Sequence, residues 1–238
     1  MIDLSTMKEV NIGEVNLKEL YINNTLVWKA GILPIGYTQL DYIETDGNSW
    51  IDTGINPTSY YDYGIEYNFK GQQLAQNNTN DYLFGCLVSG KRSGNISINT
   101  GMGKTVLYLS NSSAALKKAP IPDFNTDFEV YLKATTKDAE NAVFKFNGET
   151  VDNAFSPTNS EMPDANIYLC YCPNVGSTSK PFIGKVYYFN MIDVATGEKI
   201  RDYIPCINPE GKVGMYDLVS KAFFANVGSG TFTAGNPV

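Results

Sequence analysis

The tripeptide Asp52-Thr53-Gly54, with an isoleucine on either side, has the sequence of the catalytic loop of an aspartic protease. Such a protease needs two of these loops, because its two aspartate carboxylates share one proton. The chain of 238 residues has no second Asp-Thr-Gly or Asp-Ser-Gly, and a homodimeric protease would be much shorter. We therefore interpret Asp52 as a structural residue that hydrogen-bonds within its own turn.

Two carboxylates flanking a glycosidic bond are the second chemistry that the sequence could support. Three acidic pairs have a suitable spacing: Glu44 with Asp46, Asp62 with Glu66, and Asp127 with Glu129. None continues into a longer acidic strand, since position 48 is Asn and residues 45–49 read as a turn. Carboxylates two apart on a strand are more typical of a solvated face. We predict that the chain is not an enzyme and keep a glycoside hydrolase as an alternative.

Histidine is absent, which excludes Ser-His-Asp triads, Cys-His pairs and His-ligated zinc. One Cys-x-Cys and two single cysteines do not fit the paired spacing of a structural zinc site. Cys170 and Cys172 alternate along an expected strand and should project from one face. We predict buried, reduced thiols at Cys86, Cys170, Cys172 and Cys206, with no metal and no cofactor.

The charge balance is acidic, with 18 Lys+Arg against 25 Asp+Glu and a net charge of −7. Nucleic-acid binding needs clustered basic residues, and the sequence has only isolated pairs such as Lys117-Lys118. No segment has the apolar length of a membrane span or of a secretion signal. We expect a soluble protein, made without such a signal, that binds no nucleic acid and does not insert into membranes.

Tyrosines beside loops are the best candidates for a ligand site, because aromatic rings stack on sugars while Asn and Asp bond their hydroxyls. Tyr60, Tyr61 and Tyr63 follow the turn-forming stretch INPTS. Tyr171 precedes the loop over 172–180, which contains Asn174. The alternative for each tyrosine is that its ring covers the core while its hydroxyl contacts water.

From residue 35 onward the sequence predicts short strands separated by turns. The stretch DFEVYLKA (127–134) alternates apolar and polar residues, and NAVFKFNGETV (141–151) does the same around the hairpin signal Asn147-Gly148. The strands over 81–87 and 182–192 are apolar on both faces, as expected in the middle of packed sheets. Only residues 112–119 could hold a helical turn. This pattern is typical of a β-sandwich or barrel.

The first thirty-one residues form a separate segment in this interpretation. The stretch NLKELYINNTLVW predicts a hairpin with Asn23-Asn24 at its turn, and KAGILPIG (29–36) has the composition of a linker. We predict an attachment segment over 1–31 and one domain over 32–238. An extra edge hairpin of the main domain is the alternative.

The stretches LPIGYTQLDYIETDGNSWIDTGI (33–55) and IRDYIPCINPEGKVGMYDLVSKAFFANVGSGTFTAG (200–235) resemble the two ends of a lectin-like module. This module is the concanavalin A-like or laminin G-like jelly roll found in tail, fibre and other structural proteins of phages and prophages of gut bacteria. The LYINNTLVW hairpin is similar to segments that precede the module in phage proteins. The resemblance implies an all-β jelly-roll β-sandwich behind a short β-hairpin segment, but no transferable functional residues.

The resemblance also implies a virion protein, made in the bacterial cytoplasm and displayed on the particle exterior as a tail fibre, head fibre or decoration component. We expect the 1–31 segment to bind other virion proteins and the lectin-like domain to bind host-surface glycans. Because shallow sugar sites are weak, we expect a homo-oligomer. A purely architectural protein that binds only protein neighbours is the non-enzymatic alternative.

Overall fold

The computed structural model describes residues 10–12, 15–17, 19–22, 25–29, 32–60, 63–76, 80–88, 91–99, 103–108, 117–134, 142–151, 163–173 and 181–238. Within them, no helix is long and apolar enough to cross a membrane. The one helical element in these residues is a 3-10 turn over Pro57–Tyr60. All other regular structure described here is β-strand.

The strands are numbered in chain order. Those before residue 32 are β1 (Val10–Ile12), β2 (Val15–Leu17), β3 (Glu19–Ile22) and β4 (Thr25–Lys29). Those after it are β5 (Thr38–Gln39), β6 (Ile43–Asp46), β7 (Ile51–Asp52), β8 (Ile65–Ala75), β9 (Asn80–Val88), β10 (Lys91–Asn99), β11 (Lys104–Tyr108), β12 (Lys117–Ala119), β13 (Asp127–Ala134), β14 (Val143–Phe146), β15 (Glu149–Thr150), β16 (Tyr168–Leu169), β17 (Ile183–Asp193), β18 (Lys199–Ile207), β19 (Val213–Asp217), β20 (Ala222–Ala225) and β21 (Thr233–Ala234).

Two antiparallel sheets form the main body. The smaller sheet has the strand order β12-β11-β10-β9-β16-β7, so β7 lies at its edge. The larger sheet has the order β15-β14-β13-β8-β17-β18-β19-β20, with β6 paired to β17 and β21, and β5 paired to β18. Strands β9 and β17, which the sequence predicted to be central, each have neighbours on both sides.

The amino-terminal strands pair only with each other among the described residues. Strand β1 pairs with β2, and β3 pairs with β4, with Ile22 opposite Thr25. The strand pairing of the predicted hairpin is thus confirmed, while its turn residues Asn23 and Asn24 lie outside the described residues. The boundary between a 1–31 segment and a 32–238 domain stays a prediction.

Aromatic side chains fill the space between the two sheets. Phe84 of the smaller sheet lies 5.1 Å, between ring centroids, from both Tyr67 and Phe189 of the larger sheet. All three rings are buried. Strand β13 shows how the sequence produces this arrangement, because Phe128 and Val130 are buried while Glu129 between them is exposed. This alternation is the one predicted for residues 127–134.

The hairpin predicted at Asn147-Gly148 is confirmed. Strand β14 pairs with β15, with Phe146 opposite Glu149. Asn147 and Gly148 have φ values of 50° and 80°, as a two-residue type I′ turn requires. Asn147 also accepts a hydrogen bond of 2.8 Å from the backbone N–H of Glu129, which joins the turn to β13.

Two local predictions are corrected. Lys117–Ala119, within the stretch that could hold a helical turn, is a strand that pairs with β11, and residues 112–116 lie outside the described part of the chain. The expected strand through Cys170 and Cys172 ends at Leu169, because Cys170 has a φ of 66°. A left-handed residue breaks the two-residue alternation, so the same-face argument fails there. The four thiols are free and buried, as predicted.

The two end motifs meet in space. The Gly235 backbone N–H donates to the Tyr42 carbonyl at 3.0 Å, and Thr233 pairs with Glu44. Further along, the backbone N–H of Gly230 donates to the Asn48 carbonyl at 2.9 Å. The stretches 33–55 and 200–235, far apart in the sequence, therefore form one continuous structural unit.

Candidate functional site

Three aromatic rings lie together beside the edge strand of the smaller sheet. The indole of Trp50 and the phenol of Tyr171 are stacked, with centroids 4.3 Å apart and planes 8° apart. Tyr168 meets Tyr171 edge to face at 5.7 Å. These rings, together with Asp52 and Asn166, are all half-buried and are called the Trp50 patch from here on.

The pairing of β7 with β16 positions the centre of the Trp50 patch. Ile51 lies opposite Leu169, and both are buried in the core. Because side chains alternate along a strand, Asp52 and Tyr168, which lie opposite each other in the same register, project from the outer face. The short β7 strand thus anchors the sheet with one side chain and presents Asp52 with the next.

The carboxyl-terminal motif fixes Trp50. Its backbone N–H donates to Asn226 Oδ1 at 2.9 Å, and its carbonyl accepts from the Val227 N–H at 3.0 Å. A Cβ on Gly228 would collide with the Asn48 carbonyl and press on the indole, so only glycine fits there. The ring also packs partly against the buried core. Trp50 is therefore held in place by contacts to both its backbone and its side chain.

Asp52 supplies the charge of the Trp50 patch and is held by its neighbours. Its Oδ1 accepts from the Gly54 N–H at 2.8 Å, which closes the predicted turn. Asn166 Nδ2 lies 3.0 and 3.1 Å from its two carboxylate oxygens. Burial first, then the charge of Asp52 and a hydrogen bond to it, raise the pKa of the Tyr168 phenol.

The Asp-Thr-Gly tripeptide is a structural turn. Thr53 is buried, and its hydroxyl donates to the Ile167 carbonyl at 2.7 Å. Gly54 has a φ of 68°, a conformation that favours glycine. Together with the Asp52 bond to the Gly54 N–H, these contacts confirm the interpretation of Asp52 as a residue that bonds its own turn.

The acidic pairs considered for glycoside hydrolysis have other partners. Burial alone would raise the pKa of Asp46, but hydrogen bonds from Asn48 and Ser49 outweigh it and lower the pKa. Glu66 accepts from the Tyr131 hydroxyl at 3.0 Å. Asp127 and Glu129, on the outer face of the larger sheet, share a cation as their partner, because Lys70 Nζ lies 3.9 Å from Asp127 and 3.8 Å from Glu129. Asp62 lies outside the described residues.

Arg201 connects the Asp52 turn to the larger sheet. Its Nε donates to the Thr53 carbonyl at 3.0 Å, and its Nη1 donates to the Ile200 carbonyl at 2.9 Å. The same Nη1 lies 3.6 Å from the buried carboxylate of Asp217. With 17% of its side chain exposed, this cation is already engaged inside the protein.

The sequence-predicted ligand residues are only partly brought together. Tyr171 is in the Trp50 patch. Tyr60 ends the 3-10 turn and packs partly on the core, where burial, then Asp193, raise the pKa of its phenol against the effect of Arg201. Tyr63 is 61% exposed. No ring contact joins Tyr60 or Tyr63 to the Trp50 patch in the part of the chain that the structure describes, and Tyr61 and Asn174 lie outside it.

Sequence reasoning missed Trp50, Tyr168 and Asn166. The alternation Trp50-Ile51-Asp52 carries a signal, because it places a large ring two residues from a carboxylate around a buried isoleucine. The contacts between these residues leave no signal in the sequence, since Asn166 lies 114 residues from its partner Asp52. Pairing between two-residue strands at that separation leaves no local pattern to read.

The sequence matches no known protein-family profile and no curated protein sequence. Among solved structures, a Bacteroides ovatus protein proposed to bind carbohydrate has a TM-score of 0.58 at 13% identity. The similarity covers 84% of this chain but 62% of that protein, so this chain spans less than two thirds of its length.

Two further solved structures are similar at lower scores. The CBM40 domain of the Ruminococcus gnavus IT-sialidase has a TM-score of 0.49 at 18% identity, over 71% of this chain and 100% of that one. A heptameric SAP-like pentraxin of Limulus polyphemus has a TM-score of 0.46 at 11% identity, over 69% and 76%. With its two antiparallel sheets, the chain has the lectin-like jelly-roll β-sandwich fold that the sequence predicted.

Proposed function

We propose that this chain is a lectin-like structural protein of a phage particle that adheres to host-surface glycans through the Trp50 patch. The observation that carries the proposal is the stacked pair of Trp50 and Tyr171 beside the carboxylate and amide of Asp52 and Asn166. No step of the proposed function is catalytic.

The chemistry of the Trp50 patch suits a sugar. Pyranose rings have apolar C–H faces that pack on aromatic rings, and hydroxyl groups around the edge that need hydrogen-bond partners. The Trp50 patch offers both kinds of group, with Tyr168 opposite Asp52 and in ring contact with Tyr171. A lectin-like fold and a similar protein proposed to bind carbohydrate support the same assignment.

The virion role rests on the resemblance of the two end motifs to modules of phage structural proteins. In this chain the first motif contributes Trp50 and Asp52 to the Trp50 patch, and Asn226 of the second motif holds the Trp50 backbone, whereas the other members of the patch lie between the two motifs. The proposal places the 1–31 segment against other virion proteins and the sandwich on the particle exterior. The acidic net charge of the chain, −7, is expected to disfavour binding to nucleic acid released at lysis.

Two experiments test the two halves of the proposal. Purified particles, probed by mass spectrometry and by immunogold labelling, are expected to carry the chain on their outer surface; its absence from them would overturn the virion role. A glycan array probed with the full-length chain is expected to show bound sugars. If the array shows no bound sugar while the particles are labelled, the chain would be an architectural virion protein that binds only protein neighbours. Release of reducing sugars from host polysaccharide would favour a glycoside hydrolase instead.

A further inference from the structure

We infer that the Trp50 patch selects neutral sugars and disfavours glycans that carry a carboxylate, with Asp52 as the residue that discriminates. The inference rests on the proposed function and names the class of glycan that it would take. It follows from three properties of the Trp50 patch: its fixed rings, the hydrogen-bonding capacity of its carboxylate, and its local charge.

The rings are positioned before any ligand binds. Trp50 is bound through its backbone to Asn226 and Val227, and Tyr171 follows Cys170, which is buried in the core. Because side chains already held in one conformation lose little entropy on binding, even a small stacking surface can contribute to affinity. A sugar ring, itself rigid, matches such a surface better than a flexible chain does.

The hydrogen-bonding groups favour hydroxyls as partners. An ionised carboxylate only accepts hydrogen bonds and has about four acceptor positions on its two oxygens. Asp52 uses Oδ1 for the Gly54 N–H, shares both oxygens with Asn166 Nδ2 and also accepts a hydrogen bond from the Tyr168 hydroxyl, which leaves about one acceptor position. Asp52 is half-buried, so part of its carboxylate faces solvent and can accept from a sugar hydroxyl.

The local charge is negative. Asp164, two residues before Asn166, is exposed and accepts from Asn56 Nδ2 at 2.7 Å. Arg201 reaches the neighbouring turn, but its guanidinium is bound to the Thr53 and Ile200 carbonyls and lies against Asp217. No described lysine or arginine forms an ion pair with Asp52. A uronate or sialate residue whose ring stacks on Tyr171 would therefore bring its carboxylate close to the negative charge of Asp52, and no free cation would compensate it among the described residues.

The test is a binding comparison between matched neutral and acidic glycans. Full-length protein is titrated with galactan and polygalacturonate oligosaccharides of equal length, and with a galactose-terminated glycan and its sialylated form. We expect the neutral member of each pair to bind at least about tenfold more tightly, at low salt where unscreened charges act most strongly.

Three variants locate the effect. Tyr171→Ala removes one of the stacked rings and is expected to weaken neutral binding at least about tenfold. Asp52→Asn keeps the size of the side chain and an acceptor for the Gly54 N–H while removing the charge, so the ratio of neutral to acidic affinity is expected to fall toward one. Phe124→Ala removes an aromatic ring that is 51% exposed and lies outside the Trp50 patch, and is the matched control. Circular dichroism checks that each variant is folded.

The outcomes separate this inference from the proposed function. Equal affinity for both members of each pair, in a wild type that binds glycans, would overturn the charge selection alone. Neutral binding that survives in folded Tyr171→Ala would move the site away from the Trp50 patch. If Tyr171→Ala does not fold, an unchanged affinity ratio in Asp52→Asn overturns the inference by itself. A wild type that binds none of the probes and no sugar on the array would remove the proposed adhesion, and the inference with it.

Discussion

Asp217 illustrates how single residues of the carboxyl-terminal motif hold the fold. Its carboxylate is fully buried and accepts hydrogen bonds from the backbone N–H groups of Asp202, Val219 and Ser220 at 2.7, 3.2 and 3.0 Å. The guanidinium of Arg201 lies 3.6 Å away. We expect Asp217→Ala to lower the free energy of unfolding by about 3 kcal/mol, because it removes the acceptor of three part-buried backbone N–H groups and the only carboxylate beside the mostly buried Arg201 among the described residues. Urea denaturation measures the change.

Asp202 provides the matched control for this prediction. It is also an aspartate, but its carboxylate forms a partly exposed ion pair of 2.7 Å with Lys199. Its contact to Asp217 uses only the backbone N–H, which Asp202→Ala retains. The control is therefore expected to cost less than about 1 kcal/mol. Equal effects of the two substitutions would contradict the role assigned to Asp217.

The buried Cys206 thiol and the half-buried Tyr131 phenol have raised pKa values in the folded protein, which predicts a loss of stability at high pH. Burial raises the pKa of the Cys206 thiol from 9.0 to about 12, although a backbone hydrogen bond at Tyr216 opposes this. Burial, then a hydrogen bond to Glu66 and its charge, raise the pKa of Tyr131 from 10.0 to about 12. Since the folded protein holds these protons more tightly than the unfolded chain does, stability is full below the unfolded pKa values and falls as the pH rises toward about 12.

Urea midpoints at about pH 8 and about pH 11 check this expectation, since they bracket the unfolded pKa values of the two groups. The midpoint is expected to be lower at the higher pH. Tyr131→Phe removes one of the contributing groups and should reduce the difference between the two midpoints. A wild-type midpoint that is independent of pH over this range would show that Cys206 and Tyr131 have the same pKa values in the folded and the unfolded chain.

At the scale of elements, the sequence predicts strands and turns that depend on neighbouring residues, but it does not predict the pairing of strands that are distant in the chain. Strand β13 and the turn at Asn147-Gly148 follow from alternation and turn chemistry within about ten residues. The β7–β16 pair joins two-residue strands that lie far apart in the sequence, with Asp52 opposite Tyr168, so its register, and with it the Trp50 patch, has no local signal. The left-handed φ of Cys170 was equally invisible, because a cysteine gives no turn signal.

The amino-terminal strands are separate from the sandwich in their pairing. Strands β1 to β4 form two hairpins that pair with no strand of the sandwich among the described residues. We therefore expect deletion of residues 1–31 to leave the thermal midpoint of the sandwich unchanged while abolishing incorporation into particles. An isolated two-stranded hairpin has only marginal stability in water, so we expect a partner surface to stabilise these two hairpins.

Deletion of residues 232–238 is the matched control, because it removes β21, which pairs with β6 inside the larger sheet. That deletion is expected to lower the midpoint. If loss of residues 1–31 lowers it as much, the hairpins belong to the main domain and the attachment role is wrong.

At the scale of the whole molecule, a weak sugar site calls for several copies. The Trp50 patch consists of three half-buried rings, two of them stacked on each other, with one carboxylate and one amide beside them, so we expect it to bury little of a ligand. Several sites presented together convert later binding events into intramolecular ones, which can raise the overall affinity by about a hundredfold or more. Closed symmetry, common in soluble assemblies, provides such a presentation.

A trimerising coiled coil fused to the amino terminus of the full-length chain is expected to bind host cells about a hundredfold more tightly than the unfused chain held at concentrations where it is monomeric. The gain should vanish when Tyr171→Ala is present in all three copies, because avidity requires that each single site binds the glycan. Phe124→Ala, in the same fusion, should keep the gain. A fusion that binds cells no better than the single chain would mean that adhesion is not what the displayed domain does, and the architectural role would take its place.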